Sequence, residues 1–122
     1  MRDRLRALGS GGVLLALIST LGAAAPPAAP QSAQTFTGVI TDDVCARADH
    51  SRMRMGPTDA ECVVACIDFH GAQYVLFDGT IAYTLSDQTT PEKFAARRVT
   101  VTGTLDPKTN RIAVDSMVAT EH

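Results

Sequence analysis

Cys45, His50, Cys62 and Cys66 are the one concentration of metal-ligating and redox-active side chains in this chain. Their spacing is C-x4-H-x11-C-x3-C. With three cysteines in all, either one thiol stays free, or one pairs between molecules, or all three serve a metal. As metal ligands, Cys45, His50, Cys62 and Cys66 form a Cys3His set, which tetrahedral zinc accepts. Cuprous ion also suits soft thiolates, and Met53 and Met55 lie nearby as thioethers. The spacing matches none of the common zinc patterns well, and no C-x-x-C motif supports thioredoxin-like redox chemistry.

The elements that carry these residues limit the pairings. Thr58-Asp59-Ala60-Glu61 has the capping-box pattern and opens a helix running from Asp59 to about Phe69, ended by Gly71. At 100° per residue, Cys62, Val63, Cys66, Ile67, Phe69 and His70 share one side, with Cys66 near its middle. Glu61, Ala65 and Asp68 form the opposite polar stripe. Cys62 and Cys66 thus point the same way one turn apart, a poor geometry for a disulfide. The expected disulfide is Cys45 to Cys66, with Cys62 left as the free thiol. Cys45 is the one cysteine outside the helix, so it is expected to tie residues 42–57 to the fold. That segment has no apolar period, and a loop of its length is usually functional or pinned. His70, at the helix end, is a second candidate histidine, though the helix dipole alone favours a histidine there. Asp42 and Asp43 read as the end of a strand and the cap of a turn.

The remaining elements are strands. Phe36, Gly38 and Ile40 alternate with Thr37, Val39 and Thr41. Tyr74 to Phe77 and Thr80 to Leu85 flank Asp78-Gly79, a tight hairpin signal. Thr90-Pro91-Glu92 opens a short helix to about Ala96, with Thr as cap. Val99, Val101 and Leu105 alternate with threonines. Gly103 marks a bulge or a tight bend, and Asp106 to Asn110 a turn. Ile112 and Val114 begin a last strand. The fold class is therefore mainly β: a small five-stranded OB-like barrel, with an extra helix between strands 1 and 2 and a short helix between strands 3 and 4. Aromatics on such a hairpin can stack bases, but Tyr74, Phe77 and Tyr83 should in part simply fill the core.

Ahead of the domain, Arg2, Arg4 and Arg6 precede the apolar stretch Val13 to Leu21. That stretch is too short to span a bilayer of ~30 Å, and small residues follow it. Residues 1–24 therefore read as a signal peptide, cut before Ala25. Residues 25–34 form a Pro/Ala-rich linker, and 35–120 the OB-like domain. Removing 1–24 lowers Lys+Arg from 11 to 8 and Asp+Glu from 13 to 12, which moves the formal charge from −2 to −4. An acidic chain with scattered basic residues lacks the footprint of nucleic-acid binding. A periplasmic or secreted location follows, with no membrane span once the signal is removed.

From Thr35 to Ala119 the chain resembles an uncharacterised family of small exported bacterial domains. The matching residues are Gly38-Val39-Ile40-Thr41-Asp42 with Cys45, then His50, Cys62 and Cys66, then Tyr74-Val75-Leu76 and Val99 to Thr104. Where the resemblance expects glycine, position 46 is alanine. The strand pattern is also similar to bacterial periplasmic OB-fold proteins, which implies binding modules rather than enzymes. No Ser-His-Asp set, phosphate loop or cofactor fingerprint is present. The expectation is an exported, non-catalytic binding or structural module of the cell envelope without a cofactor, its long loop pinned by a disulfide. Its partner would be an unknown ligand or envelope protein. The alternatives are a zinc or copper protein and a small thiol oxidoreductase.

Overall fold

The computed structural model describes residues 9, 11–27 and 31–120. Arg2, Arg4 and Arg6 of the expected signal and residues 28–30 of the expected linker lie outside them. No helix among the described residues is long and apolar enough to cross a membrane.

The fold is mainly β, with five strands and one α-helix: β1 (Gln34–Asp42), α1 (Asp59–His70), β2 (Tyr74–Phe77), β3 (Ala82–Leu85), β4 (Arg98–Asp106) and β5 (Arg111–Ala119). The strands close into a barrel in the order β1-β2-β3-β5-β4. β1 pairs antiparallel with both β2 and β4, and the parallel β3–β5 pair completes the ring. Closure is made by short contacts, β3 meeting β5 only at Thr84–Arg111 and Leu85–Ile112. Ile40, Leu76, Leu85, Val99, Val101 and Ile112 fill the interior, and Val63 of α1 joins them.

α1 starts where the capping box places it. The Thr58 side chain accepts from the Glu61 N–H, and the Glu61 carboxylate accepts from the Thr58 N–H. Gly71 at φ 63° ends it in the left-handed conformation that glycine tolerates best. The buried face is narrower than the helical pattern implied. Cys62, Val63 and Cys66 are buried, but Phe69 is 77% exposed and His70 is exposed. Phe69 instead lines an open groove with Val64, Ala95 and Arg97.

Three local expectations change. The segment between β3 and β4 is a 3₁₀ turn, Thr90–Phe94, not an α-helix. Its start is held by Asp87, whose Oδ1 accepts from the N–H groups of Thr89 and Thr90, so Thr90 does not cap it. In the hairpin, positive φ occurs at Gly79 and not at Asp78. The Asp78 N–H reaches the Ile81 carbonyl, so the two turn residues are Gly79-Thr80, one step later than Asp-Gly. Asp78 serves as the cap, its Oδ1 accepting from Thr80 and Ile81. Tyr74 and Tyr83 are both buried, and Phe77 is half-buried beneath the Arg47 guanidinium, 5.6 Å from its ring centre. The hairpin therefore offers no aromatic stacking platform.

Gly103 does mark a bulge. The β4–β5 register shifts there, Thr102 facing Ser116 and Gly103 facing Val114, so Asp115 is the extra residue. A Cβ at Gly103 would meet the Ala113 carbonyl, and one at Gly38 the Phe77 carbonyl. These two glycines let neighbouring backbones approach where the sheet bends. Gly38→Ala is expected to lower stability by roughly 1–3 kcal/mol, since backbone must move to admit one methyl group. A urea midpoint equal to that of the parent protein would show that the strands have room there.

Candidate metal centre

β1 ends by carrying a carboxylate into the barrel's buried end. The alternation that points Gly38 and Ile40 inward continues to Asp42, which has no exposed surface. Asp42 Oδ1 accepts from the N–H groups of Val44 at 3.0 Å and Cys45 at 2.8 Å. The Thr41 hydroxyl donates to the Cys45 carbonyl at 3.0 Å, and the Ala48 N–H to the same oxygen at 2.8 Å. These bonds wind the chain tightly around Cys45. The left-handed residue of that turn is Ala48 at φ 57°, so alanine at 46 needs no special backbone.

The turn brings Cys45 against α1. Ligand atoms of Asp42, Cys45 and Cys66 lie within 4.8 Å of one another, and all three residues are buried. Asp42 Oδ2 is buried with no hydrogen-bond partner. All three cysteines are free thiols. Burial pushes the Cys66 thiol up to about 12, and the neighbouring Asp42, Cys45 and Cys62 add to the effect. Cys45 is raised as well, first by burial and then by Asp42. Reactive cysteines sit in electropositive, accessible surroundings that favour the thiolate. This pair sits in the opposite environment.

The other expected ligands are placed differently. Cys62 is fully buried, and its sulfur is engaged with the long loop: it accepts from the Met55 N–H at 3.3 Å and donates to the Met53 carbonyl at 3.4 Å. Cys45 is thus not the sole tether of residues 42–57. Asp43 also exchanges two bonds with Gln73, and Arg54 pairs with Asp59 at 3.0 Å on the surface. His50 is buried, with Nδ1 unpartnered, but lies outside the three-donor group. His70 is exposed on the last turn of α1 and joins neither. Met53 and Met55 are 42% and 36% exposed.

Asp42 is the member that its residue type and position concealed. A strand-ending aspartate next to a second aspartate reads as a turn cap, and its Oδ1 does cap the turn. The carboxylate also lies beside the thiols, which only the inward parity of β1 signals. No family model, no curated protein and no solved structure matches this chain.

Two outcomes follow for the metal-free protein. A thiol raised in the folded state favours the protonated form, so its contribution to stability is complete below the unfolded value. Stability should hold up to about pH 9 and then fall as pH rises toward 12, read as urea midpoints across that range. Asp42→Ala should cost about 1–3 kcal/mol, because the buried Cys45 N–H loses its acceptor. Asp42→Asn keeps an oxygen for that bond and should cost less; equal losses would show that charge rather than hydrogen bonding holds the turn.

Proposed function

We propose that this protein is an exported, non-catalytic module of the cell envelope that binds one metal ion through Asp42, Cys45 and Cys66. The orphaned Asp42 Oδ2, buried beside two thiols, is the observation that carries the reading. A buried acceptor without a partner costs about 1–3 kcal/mol, and a cation between the three donors removes that cost. Zn–S bonds of about 2.3 Å and Zn–O bonds of about 2.0–2.2 Å put tetrahedral donors roughly 3.5–4 Å apart. The three atoms lie within 4.8 Å of one another, so they close on zinc with only a small inward shift. Two thiolates and a carboxylate suit zinc, and the carboxylate makes a cuprous site the weaker choice.

The chain's strand order, with the connection from β3 to β4 passing through the 3₁₀ turn, supports an OB-like reading of the barrel. The basic start and short apolar stretch support export. The raised thiols weigh against a thiol oxidoreductase, whose nucleophile must be a thiolate at neutral pH. A purely structural module remains the second reading, because the same sulfur proximity suits a bridge between Cys45 and Cys66.

Zinc titration of the reduced protein should end near one equivalent, about two protons being released as the thiols ionise. Affinity should fall steeply as pH is lowered. At free zinc about 100-fold above its Kd, unfolding should be opposed by about 2.7 kcal/mol more than in chelator. Asp42→Ala, Cys45→Ser and Cys66→Ser should each lose this increment, while His50→Ala and His70→Ala keep it. An increment absent from the parent protein, or retained in Cys66→Ser, would sink the metal reading.

A further inference from the structure

The cysteines divide into a pair that is able to meet and one that is held elsewhere. Cys62 and Cys66 lie one turn apart on a regular helix, where a disulfide does not fit. The Cys62 sulfur is also clasped by the Met53 carbonyl and the Met55 N–H. The Cys45 and Cys66 sulfurs instead face each other, within 4.8 Å, with Asp42 beside them. An S–S bond of about 2.05 Å needs the two sulfurs to close the remaining gap. The backbone of Cys45 is held by Asp42, Thr41 and Ala48, so the closure falls to rotation of the two side chains. Cys45 is the more accessible of the two, at 9% exposure against 0% for Cys66.

We propose that the Asp42–Cys45–Cys66 centre is redox-gated: oxidation joins Cys45 to Cys66 and expels the metal. This rests on the metal reading above and names its regulation. The oxidant is a small-molecule disulfide, RSSR. The Cys45 thiolate attacks one sulfur of RSSR, forming a mixed disulfide and releasing RS⁻. The Cys66 thiolate then attacks the Cys45 sulfur, forming the intramolecular bond and releasing the second RS⁻. Two thiolates are oxidised by two electrons, and one RSSR is reduced to two RS⁻. Disulfide sulfurs carry no thiolate charge, so the cation loses two of its three donors and only the Asp42 carboxylate remains. Reduction restores the site. Cys62 stays a thiol throughout, which accounts for the odd count: a two-electron couple needs two cysteines, and the third fastens the loop.

The test loads the reduced full chain with zinc, adds oxidised glutathione, and follows zinc release with a chromophoric chelator. Peptide mapping of the alkylated product identifies the bridge, and circular dichroism confirms that the barrel persists. Zinc should leave in step with a Cys45–Cys66 bridge, occupancy falling at least tenfold, and return on reduction. Cys62→Ser should behave like the parent protein, which keeps the test independent of variants that abolish the centre. Zinc that stays bound with all thiols alkylatable would overturn the gating and leave the metal reading intact. A bridge that includes Cys62, or one between molecules, would overturn it too. A reduced protein that never takes up zinc fails the metal reading first, and the gating with it.

Discussion

The burial of one carboxylate organises this end of the molecule. Asp42 sits at the last position of β1, on the inward face, and has no exposed surface. Its Oδ1 spends both its accepting directions on the turn that follows, and that turn sets Cys45 against α1. An apolar residue there would leave two N–H groups of the turn unpaired. A longer acid would not keep the same bonds. The position of Cys45 thus depends on a side chain three residues before it, and the candidate metal centre depends on both. Burying a carboxylate is expensive unless it is paired. Here one oxygen is satisfied and the other is not, and that imbalance is the centre's chemical content.

The barrel makes this arrangement affordable by fixing the ends of the loop. β1 pairs with β4 from Gln34 to Val39 and with β2 from Val39 to Asp42, so its last residue is held in register opposite Tyr74. Gly38 and Gly103 permit that closure by letting the backbone of the adjacent strand pass where a Cβ would stand. α1 is held in turn by its capping box and by Val63 in the core. The centre is therefore set between a strand and a helix whose positions are fixed independently of any ligand. The segment between them carries fewer contacts with the core, yet the Asp43–Gln73 pair and the Cys62 sulfur bind it at both ends.

Much of this was legible because each local signal agreed with the fold. The capping box of α1 and the alternation of β1 and β4 each have one physical reading, and the structure follows them; of the two readings of Gly103, the bulge is the one realised. The signals that misled were those with two. Thr90-Pro91 reads as a helix start, but Asp87 supplies the cap and the segment closes as a 3₁₀ turn. Asp78-Gly79 reads as a two-residue turn, but aspartate has a side chain that caps, and the turn slides by one. Phe69 and His70 fall on the apolar side by angle, yet angle does not say where a helix runs past its sheet. At the centre, residue type drew attention to His50 and Cys62. Distance along the chain gave no means of seeing that Asp42 would stand beside Cys45 and Cys66.

The two thiols show why neither hydrophobic burial nor charge alone explains the centre. Burial raises the pKa values of Cys45 and Cys66, and the neighbouring carboxylate raises them further. Without a cation, burial and the carboxylate therefore favour the protonated form of both thiols. A cation inverts that balance, because it stabilises both thiolates and the carboxylate at once. The ionisation that the folded protein suppresses becomes the ionisation that the ligand requires. On the proposed reading, the negative charge on Asp42, unfavourable when the candidate centre is metal-free, would favour a divalent cation over a neutral or anionic ligand.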